Sequence, residues 1–387
     1  MTERTRHDAT PRRPRGLARI TLAALFVSLA ACSSNSRSVS TTSTTAPESA
    51  PRPSQLSVVQ IGDSIAAGEG TLYGFTYDRK SRTWVGGNPD AVWPEPYPEC
   101  HDSPYAFGEL VSAAFGADFS QFACTGASFD NGITRAETYN GTSPLRPAQF
   151  GNWDTRTDLN PDYDTAAPDV VLLTFGADDV HFVKIFEGCV LNAFAHDVLK
   201  RLDPLECVEG NPGATATKDF LDDKARLAAN YGTLVGWINA RAKANRARVP
   251  EIFITTYPNP LPPADERCPD VEDLDPKQVA YLSRLLDDLN GIIKTSVASL
   301  EATNPNVHLA DTSGVYMPDG VSHRWCSEDP WAYGLSIIDP AHPATLEVTA
   351  PFHPTPRGQQ AFARVVTPLV AKATGRTTGE SESDPGR

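Results

Sequence analysis

The chain has 387 residues, of which 40% are hydrophobic, 9% aromatic and 21% charged. That composition excludes wholesale disorder and fibrous repeats, and the length allows one large α/β domain or two smaller ones, either with a sizeable core. A formal net charge of -14 argues against nucleic-acid binding through a basic surface.

Residues 1–19 carry six arginines against Glu3 and Asp8, and an apolar stretch follows from Ile20 to Ala31. The stretch is too short to span a bilayer and sits behind a basic segment, the pattern of a secretory signal peptide. It ends Leu29-Ala30-Ala31-Cys32, which resembles a bacterial lipobox, where lipid is attached to the cysteine thiol. An ordinary signal peptide with a chance cysteine is the alternative. The Ser-, Thr- and Pro-rich run over 33–55 favours the lipobox, because Cys32 then opens a tether and not a fold. On this reading 1–31 is removed and lipid on Cys32 anchors the protein to the membrane. Residues 32–55 are then a flexible tether, 56–375 the folded domain and 376–387 a disordered polar tail. The expected location is the outer face of the cell membrane, or outside the cell.

Leu56–Ile61 is a short apolar run that ends in Gly62-Asp63-Ser64 and reads as a buried strand entering a turn. Residues 104–116 read as a helix and 117–124 as a second strand. Asp169–Phe175 is a continuous apolar run, typical of a strand covered on both faces. A long helix is expected over 217–246, a strand over Glu251–Tyr257, a helix over 275–301, a short strand over Val307–Ala310 and an amphipathic helix over 356–373. Strands alternate with helices five times, which predicts a three-layer α/β/α sandwich with a five-stranded parallel sheet. Segments 70–102, 128–168, 186–215, 258–274 and 311–355 lack periodicity and read as long loops. In such a sheet the loops that leave the carboxyl ends of the strands build the site.

Seven cysteines stand at 32, 100, 124, 189, 207, 268 and 326. With Cys32 assigned to lipid, six remain in an exported chain, which argues for disulfides and leaves the pairing open. Sequential pairing closes loops of modest length. No CxxC pair exists and His323-x-x-Cys326 has no second half, so neither a metal site nor any cofactor is expected.

Ser64 falls where the first strand ends, in GDSIAAGEG, which presents its hydroxyl at the sheet edge. A Ser/Asp turn or helix cap explains those three residues as well. Further residues weigh against that reading. The GDS segment resembles block I of the SGNH (GDSL-type) hydrolases, where the serine is the nucleophile. ACTGAS supplies Gly126 at the place of the block II glycine. Gly176-Ala177-Asp178-Asp179 stands at block III, G-x-N-D in the family, and Ala350-Pro-Phe-His353 at block V, an Asp-x-x-His. Order and spacing match over residues 56–373. ACTGA, HRWC and FHPTPRGQ make the chain most similar to the disulfide-bonded actinobacterial esterase and lipase branch.

The resemblance implies a flavodoxin-like fold and the sequential disulfides Cys100–Cys124, Cys189–Cys207 and Cys268–Cys326, each contributing ~3 kcal/mol. It also implies an acyl-enzyme mechanism. His353 takes the Ser64 proton as general base and returns it as acid, and the backbone N–H groups of Ser64 and Gly126 hold the oxyanion. His342 is the nearest competitor to His353 but lacks the following glycine and helix.

Two residues depart from the family pattern. Ala350 replaces the block V aspartate, so the Ala350 carbonyl is the candidate to orient His353, ahead of a remote acid such as Asp311. Asp178 replaces the block III asparagine, whose amide donates to the oxyanion; an ionised carboxylate repels it. Asp178 is then protonated, or turned away, or the protein binds without turnover. Asp63 reads as a turn former and Asp179 as a support of the block III loop. Trp84, Trp93, Tyr97, Tyr105, Phe129, Trp325 and Trp331 are read as loop-core packing, with a wall for acyl chains or sugar rings as the alternative. Asn140-Gly-Thr is a glycosylation sequon by pattern only. The expected substrate is an ester: an acylglycerol, a phospholipid or an acetylated glycan. A monomer is expected. The competing functions are an acyltransferase and a weakly active or non-catalytic binding lipoprotein on the same scaffold.

Overall fold

The computed structural model describes residues 55–379, apart from 89, 139–143, 187, 190–214, 273 and 338–348. In chain order, the first half holds β1 (Ser57–Gly62), α1 (Ser64–Ala67), β2 (Phe75–Asp78), β3 (Thr83–Gly86), α2 (Phe107–Phe115) and β4 (Asp118–Gln121). Then come β5 (Glu137–Thr138), β6 (Pro144–Arg146), α3 (Pro161–Ala166) and β7 (Val170–Thr174). The second half holds α4 (Thr215–Ala244), β8 (Glu251–Thr255), α5 (Pro276–Glu301), β9 (Val307–Ala310) and α6 (Pro356–Thr374).

The five long-run strands form one sheet in the order β4-β1-β7-β8-β9, parallel throughout, with Val58 opposite Val170 and Ile252 opposite Val307. This is the expected α/β architecture. The burial pattern explains the order. All five residues of β7 are buried, as are five of six in β1, while β4 (DFSQ) is polar and lies at an edge. Helices flank the sheet in two packed pairs, α2 with α6 and α4 with α5. Phe107 and Phe362 stack at 5.3 Å within the first pair. Caps set the helix starts. Asp275 and Gln278 close a capping box ahead of Pro276, and Thr355 caps α6 ahead of Pro356. Among the described residues no helix is long and apolar enough to cross a membrane.

Segments 70–102 and 128–168 are not wholly irregular. They hold the hairpin β2–β3, the short pair β5–β6 and α3. These elements are two to six residues long, too short to show periodicity, and tertiary contacts hold them. Trp84 of β3 packs on Tyr333 at 4.8 Å and on Tyr77 at 5.2 Å. Trp84, Trp93, Phe129, Trp325 and Trp331 are all buried, while Tyr97 is partly buried and Tyr105 exposed.

Cys100–Cys124 and Cys268–Cys326 are disulfides. Cys189 is buried and disulfide-bonded as well. Cys207, Cys32, His342 and Asn140 lie outside the described residues.

Candidate active site

The sheet order places β4 on one side of β1 and β7 on the other, so the chain reverses its winding direction between β1 and β7. The carboxyl ends of those two strands form the crevice where parallel sheets of this kind bind ligands. Gly62 and Thr174 end them, in register. A Cβ on Gly62 would fall 2.1 Å from the Thr174 carbonyl oxygen, so the close approach requires glycine. The Gln149 side chain clamps Gly62 from the other side, accepting its N–H at 2.8 Å and donating to its carbonyl at 2.9 Å.

Asp63 caps α1 through the Ile65 N–H at 3.0 Å, and Ser64 is the first helical residue. The first N–H of a helix has no intrahelical carbonyl to donate to, so the Ser64 amide faces outward. The Tyr257 hydroxyl donates to Asp63 and accepts the Ala177 N–H at 3.2 Å, which ties the serine turn to the turn after β7. Burial pushes the Asp63 carboxyl up to about 7, against hydrogen bonds from Tyr257 and from the Ile65 and Ala66 amides.

Ser64 Oγ lies 2.8 Å from His353 Nε2. The histidine sits on a strap pinned to 331–333. Tyr333 N–H donates to the His353 carbonyl at 2.9 Å, Phe352 N–H to Tyr333 at 2.8 Å and Thr355 N–H to Trp331 at 2.9 Å. Phe352 takes a φ of 76°, a left-handed conformation that costs a non-glycine residue about 1–2 kcal/mol. Its ring is held by Phe186 at 4.8 Å, Phe182 at 5.4 Å and Trp325 at 5.9 Å. Burial lowers the His353 imidazole below its ordinary range, and Glu69 opposes that shift.

The orienting carbonyl is not that of Ala350. His353 Nδ1 meets the Pro351 carbonyl at 3.2 Å, while the Ala350 carbonyl accepts the His353 backbone N–H at 3.0 Å. The tight 350–353 turn commits Ala350 to the backbone and leaves the next carbonyl for the ring. Asp311 is bound elsewhere, to Lys294 at 2.8 Å and to the hydroxyls of Thr256 and Ser313.

Gly126 lies two residues past Cys124 with φ 77°, in a region where a side chain is strained, and among the described residues the nearest atom to its would-be Cβ is Glu137 Oε1 at 4.0 Å. The disulfide to Cys100 and the Thr125 N–H bond to the Cys100 carbonyl, at 3.1 Å, fix this turn. Arg146 braces it from behind, donating to Ala123 O at 2.9 Å, to Phe122 O and to Cys100 Sγ. Asp178 is partly buried in the turn after Gly176. Asp179 is buried and accepts the Phe129 N–H at 3.2 Å and the Asn230 amide at 3.2 Å, which bolts that turn to the loop after Gly126.

The Cys100 and Cys124 sulfurs and Glu137 group together, but the two sulfurs are joined to each other and leave no thiolate for a metal. Cys326 is likewise in a disulfide, and His323 stacks on Trp331 at 3.7 Å. Sequence reasoning missed Glu69. It is fully buried, 2.5 Å from His101 Nδ1, and accepts the Thr349 hydroxyl. It stands in the same GDSIAAGEG run as Ser64, where a buried acid just past a helix end is the only local signal.

A serine hydroxyl on an imidazole, set at the switch point of a parallel sheet beside a left-handed glycine turn, defines a serine hydrolase of the α/β/α type. The chain belongs to the GDSL-like lipase/acylhydrolase family, whose model matches residues 58–366. Comparison with curated proteins gives no match. Among solved structures it is similar to an extracellular lipase from Streptomyces rimosus, at 19% identity and TM-score 0.43, covering 82% of this chain and 99% of that one. A phospholipase A1 from Streptomyces albidoflavus is similar at 18% identity and TM-score 0.44, with 82% and 99% covered. A family two carbohydrate esterase from Clostridium thermocellum is similar at 12% identity and TM-score 0.41, with 84% and 66% covered.

Proposed function

We propose that the protein is an exported, lipid-anchored serine esterase or lipase that cleaves carboxylic esters through an acyl-enzyme. The observation that carries the catalytic reading is the 2.8 Å contact between Ser64 Oγ and His353 Nε2. An imidazole held below its ordinary range by burial is neutral at neutral pH and fit to accept the serine proton. Ser64 then attacks the ester carbonyl carbon, and the amides of Ser64 and Gly126 receive the oxyanion. The Pro351 carbonyl fixes the imidazole tautomer, with Nδ1 carrying the proton and Nε2 accepting. His353 returns the proton to the leaving alcohol, and a water activated by the same imidazole releases the acid. The lipid anchor at Cys32 and export rest on the segment 1–55 as read from the sequence.

Family membership points to acylglycerols, phospholipids or acetylated glycans as substrates. A second reading, binding without turnover, is favoured by one residue: Asp178 at the place of an oxyanion-donating asparagine. One experiment separates the two. The disulfide-formed protein is treated with a fluorophosphonate probe and with p-nitrophenyl esters from acetyl to palmitoyl. The expected result is labelling and turnover that Ser64→Ala abolishes. A wild-type protein that neither labels nor turns over any ester is the binding scaffold.

A further inference from the structure

Among the described residues no carboxylate is bonded to the base of this site, and Ala350 stands where the family places an aspartate. An acid nevertheless joins the two halves of the site. The Glu69 backbone N–H donates to the Ser64 carbonyl at 3.0 Å, so the residue is built onto the end of the nucleophile helix. Its carboxylate is wholly buried, with Oε2 2.5 Å from His101 Nδ1 and Oε1 accepting the Thr349 hydroxyl. Tyr73 adds a second contact to Thr349 Oγ1 at 3.3 Å, and Trp93 stacks on the His101 ring at 4.5 Å. Thr349 opens the strap that carries His353, and two residues further on the Pro351 carbonyl meets the imidazole Nδ1 at 3.2 Å.

We propose that Glu69 is a positioning residue of this ester hydrolase: a buried carboxylate that anchors the His353 strap through Thr349 and supplies, across a gap, the negative charge missing at Ala350. The proposal rests on the ester-hydrolase reading above. When Ser64 attacks, its proton moves to Nε2 and the imidazole becomes a cation. A fixed anion in a poorly hydrated interior stabilises that cation without touching it. The groups acting on His353 are Ser64 at Nε2, the Pro351 and Thr349 carbonyls, Glu69 and, in the opposite sense, His101. Burial pushes the Glu69 carboxyl up, but His101, the charge of His353 and the Thr349 hydroxyl outweigh it and hold it below the ordinary range. Glu69 in turn is the strongest influence raising His353.

Glu69→Gln keeps the shape and still accepts the Thr349 hydroxyl, while removing the charge. The acid limb of the kcat/KM profile is expected to move to lower pH, with the plateau kcat about tenfold down. Glu69→Asp, which retains the charge, is expected to keep the wild-type limb. A Glu69→Gln protein that is slower or less stable with its acid limb unmoved would show a merely structural role and overturn the proposal. A second measurement needs neither variant nor substrate: an NMR titration of the wild-type full chain with labelled glutamate carboxyls and histidine rings. Glu69 is expected to stay ionised across the pH range where His353 titrates, with its resonance following that titration. Protonation of Glu69 within that range, or no response to His353, would overturn the proposal even where the variants fail to fold. A wild type without ester turnover would instead overturn the hydrolase reading, and the NMR titration would still decide whether Glu69 is charged and coupled to His353.

Discussion

The Ser64 and His353 pair is poised for proton transfer in the resting protein, so the reaction turns on what receives the oxyanion. On the proposed mechanism two backbone amides receive it, that of Ser64 at the start of α1 and that of Gly126 in its left-handed turn. The third donor of the family is a side-chain amide, and here Asp178 stands in that position. An ionised carboxylate brings repulsion where an amide brings a hydrogen bond, and loss of one such donor costs ~3–4 kcal/mol. Asp178→Asn is therefore expected to raise kcat on p-nitrophenyl esters, roughly a hundredfold at alkaline pH and less at acid pH, where a protonated carboxyl also donates. Steady-state rates from about pH 5 to about pH 8 check this. A ratio that stays near unity would place Asp178 outside the oxyanion hole. At this scale Ser64, Gly126 and His353 were legible because each lies in a short motif, the first two in the turns that follow β1 and β4 and the third just ahead of α6. Glu69, Gln149 and Tyr257 were not. Their partners lie 32 to 280, 87, and 80 to 194 residues away along the chain, where no local pattern reports them.

The elements that carry the site divide into those with a period and those without. The five sheet strands and the long helices announced themselves through apolar runs and helical spacing, and observed ends fall within a few residues of the expected ones. The hairpin β2–β3, the pair β5–β6 and α3 carried no such signal, because they are too short for a period and are held by side chains from other segments, as Trp84 by Tyr333, Tyr163 by Phe150 and Arg146 by the Ala123 carbonyl. The one-residue error in the carbonyl that orients His353 has the same origin: it depends on a left-handed Phe352 held by three rings from elsewhere in the chain. The two disulfides between described residues act on different parts of this irregular layer. Cys268–Cys326 spans 58 residues, and its replacement by serines is expected to cost ~4 kcal/mol in denaturant unfolding. Cys100–Cys124 spans 24, for ~3 kcal/mol, but ends two residues from Gly126. Its removal is expected to reduce kcat more than removal of the larger loop does. Unfolding curves and kcat for both double variants test the split, and the reverse order for kcat would mean the Gly126 turn holds without its disulfide.

Across the whole molecule the buried acids set a pH dependence that net charge alone does not give. Burial pushes Asp63 and Glu137 up to about 7, and Asp179 and Asp270 up to about 6. All four side chains are buried, and neither Glu137 Oε2 nor Asp270 Oδ2 has a hydrogen-bond partner among the described residues. In the unfolded chain such carboxyls titrate near 4. Between about 4 and about 7 the folded protein therefore holds protons that the unfolded chain has released, and stability falls as pH rises through that window. Glu69 and Asp311, both held below the ordinary range, act in the opposite sense, but their stabilisation is complete above the unfolded carboxylate range. A single raised carboxyl acting over one pH unit is worth ~1.4 kcal/mol, or about 2–4 °C in Tm for a large domain. Tm is expected to be several degrees higher at about pH 5.5 than at about pH 8, with ionic strength held constant. Glu137→Gln removes one of these titrations while preserving shape, so the gap between the two pH values should narrow. Calorimetry of wild type and variant at both pH values is decisive: a wild-type Tm that rises toward pH 8 would mean that these carboxyls reach solvent or a cation as the folded protein ionises.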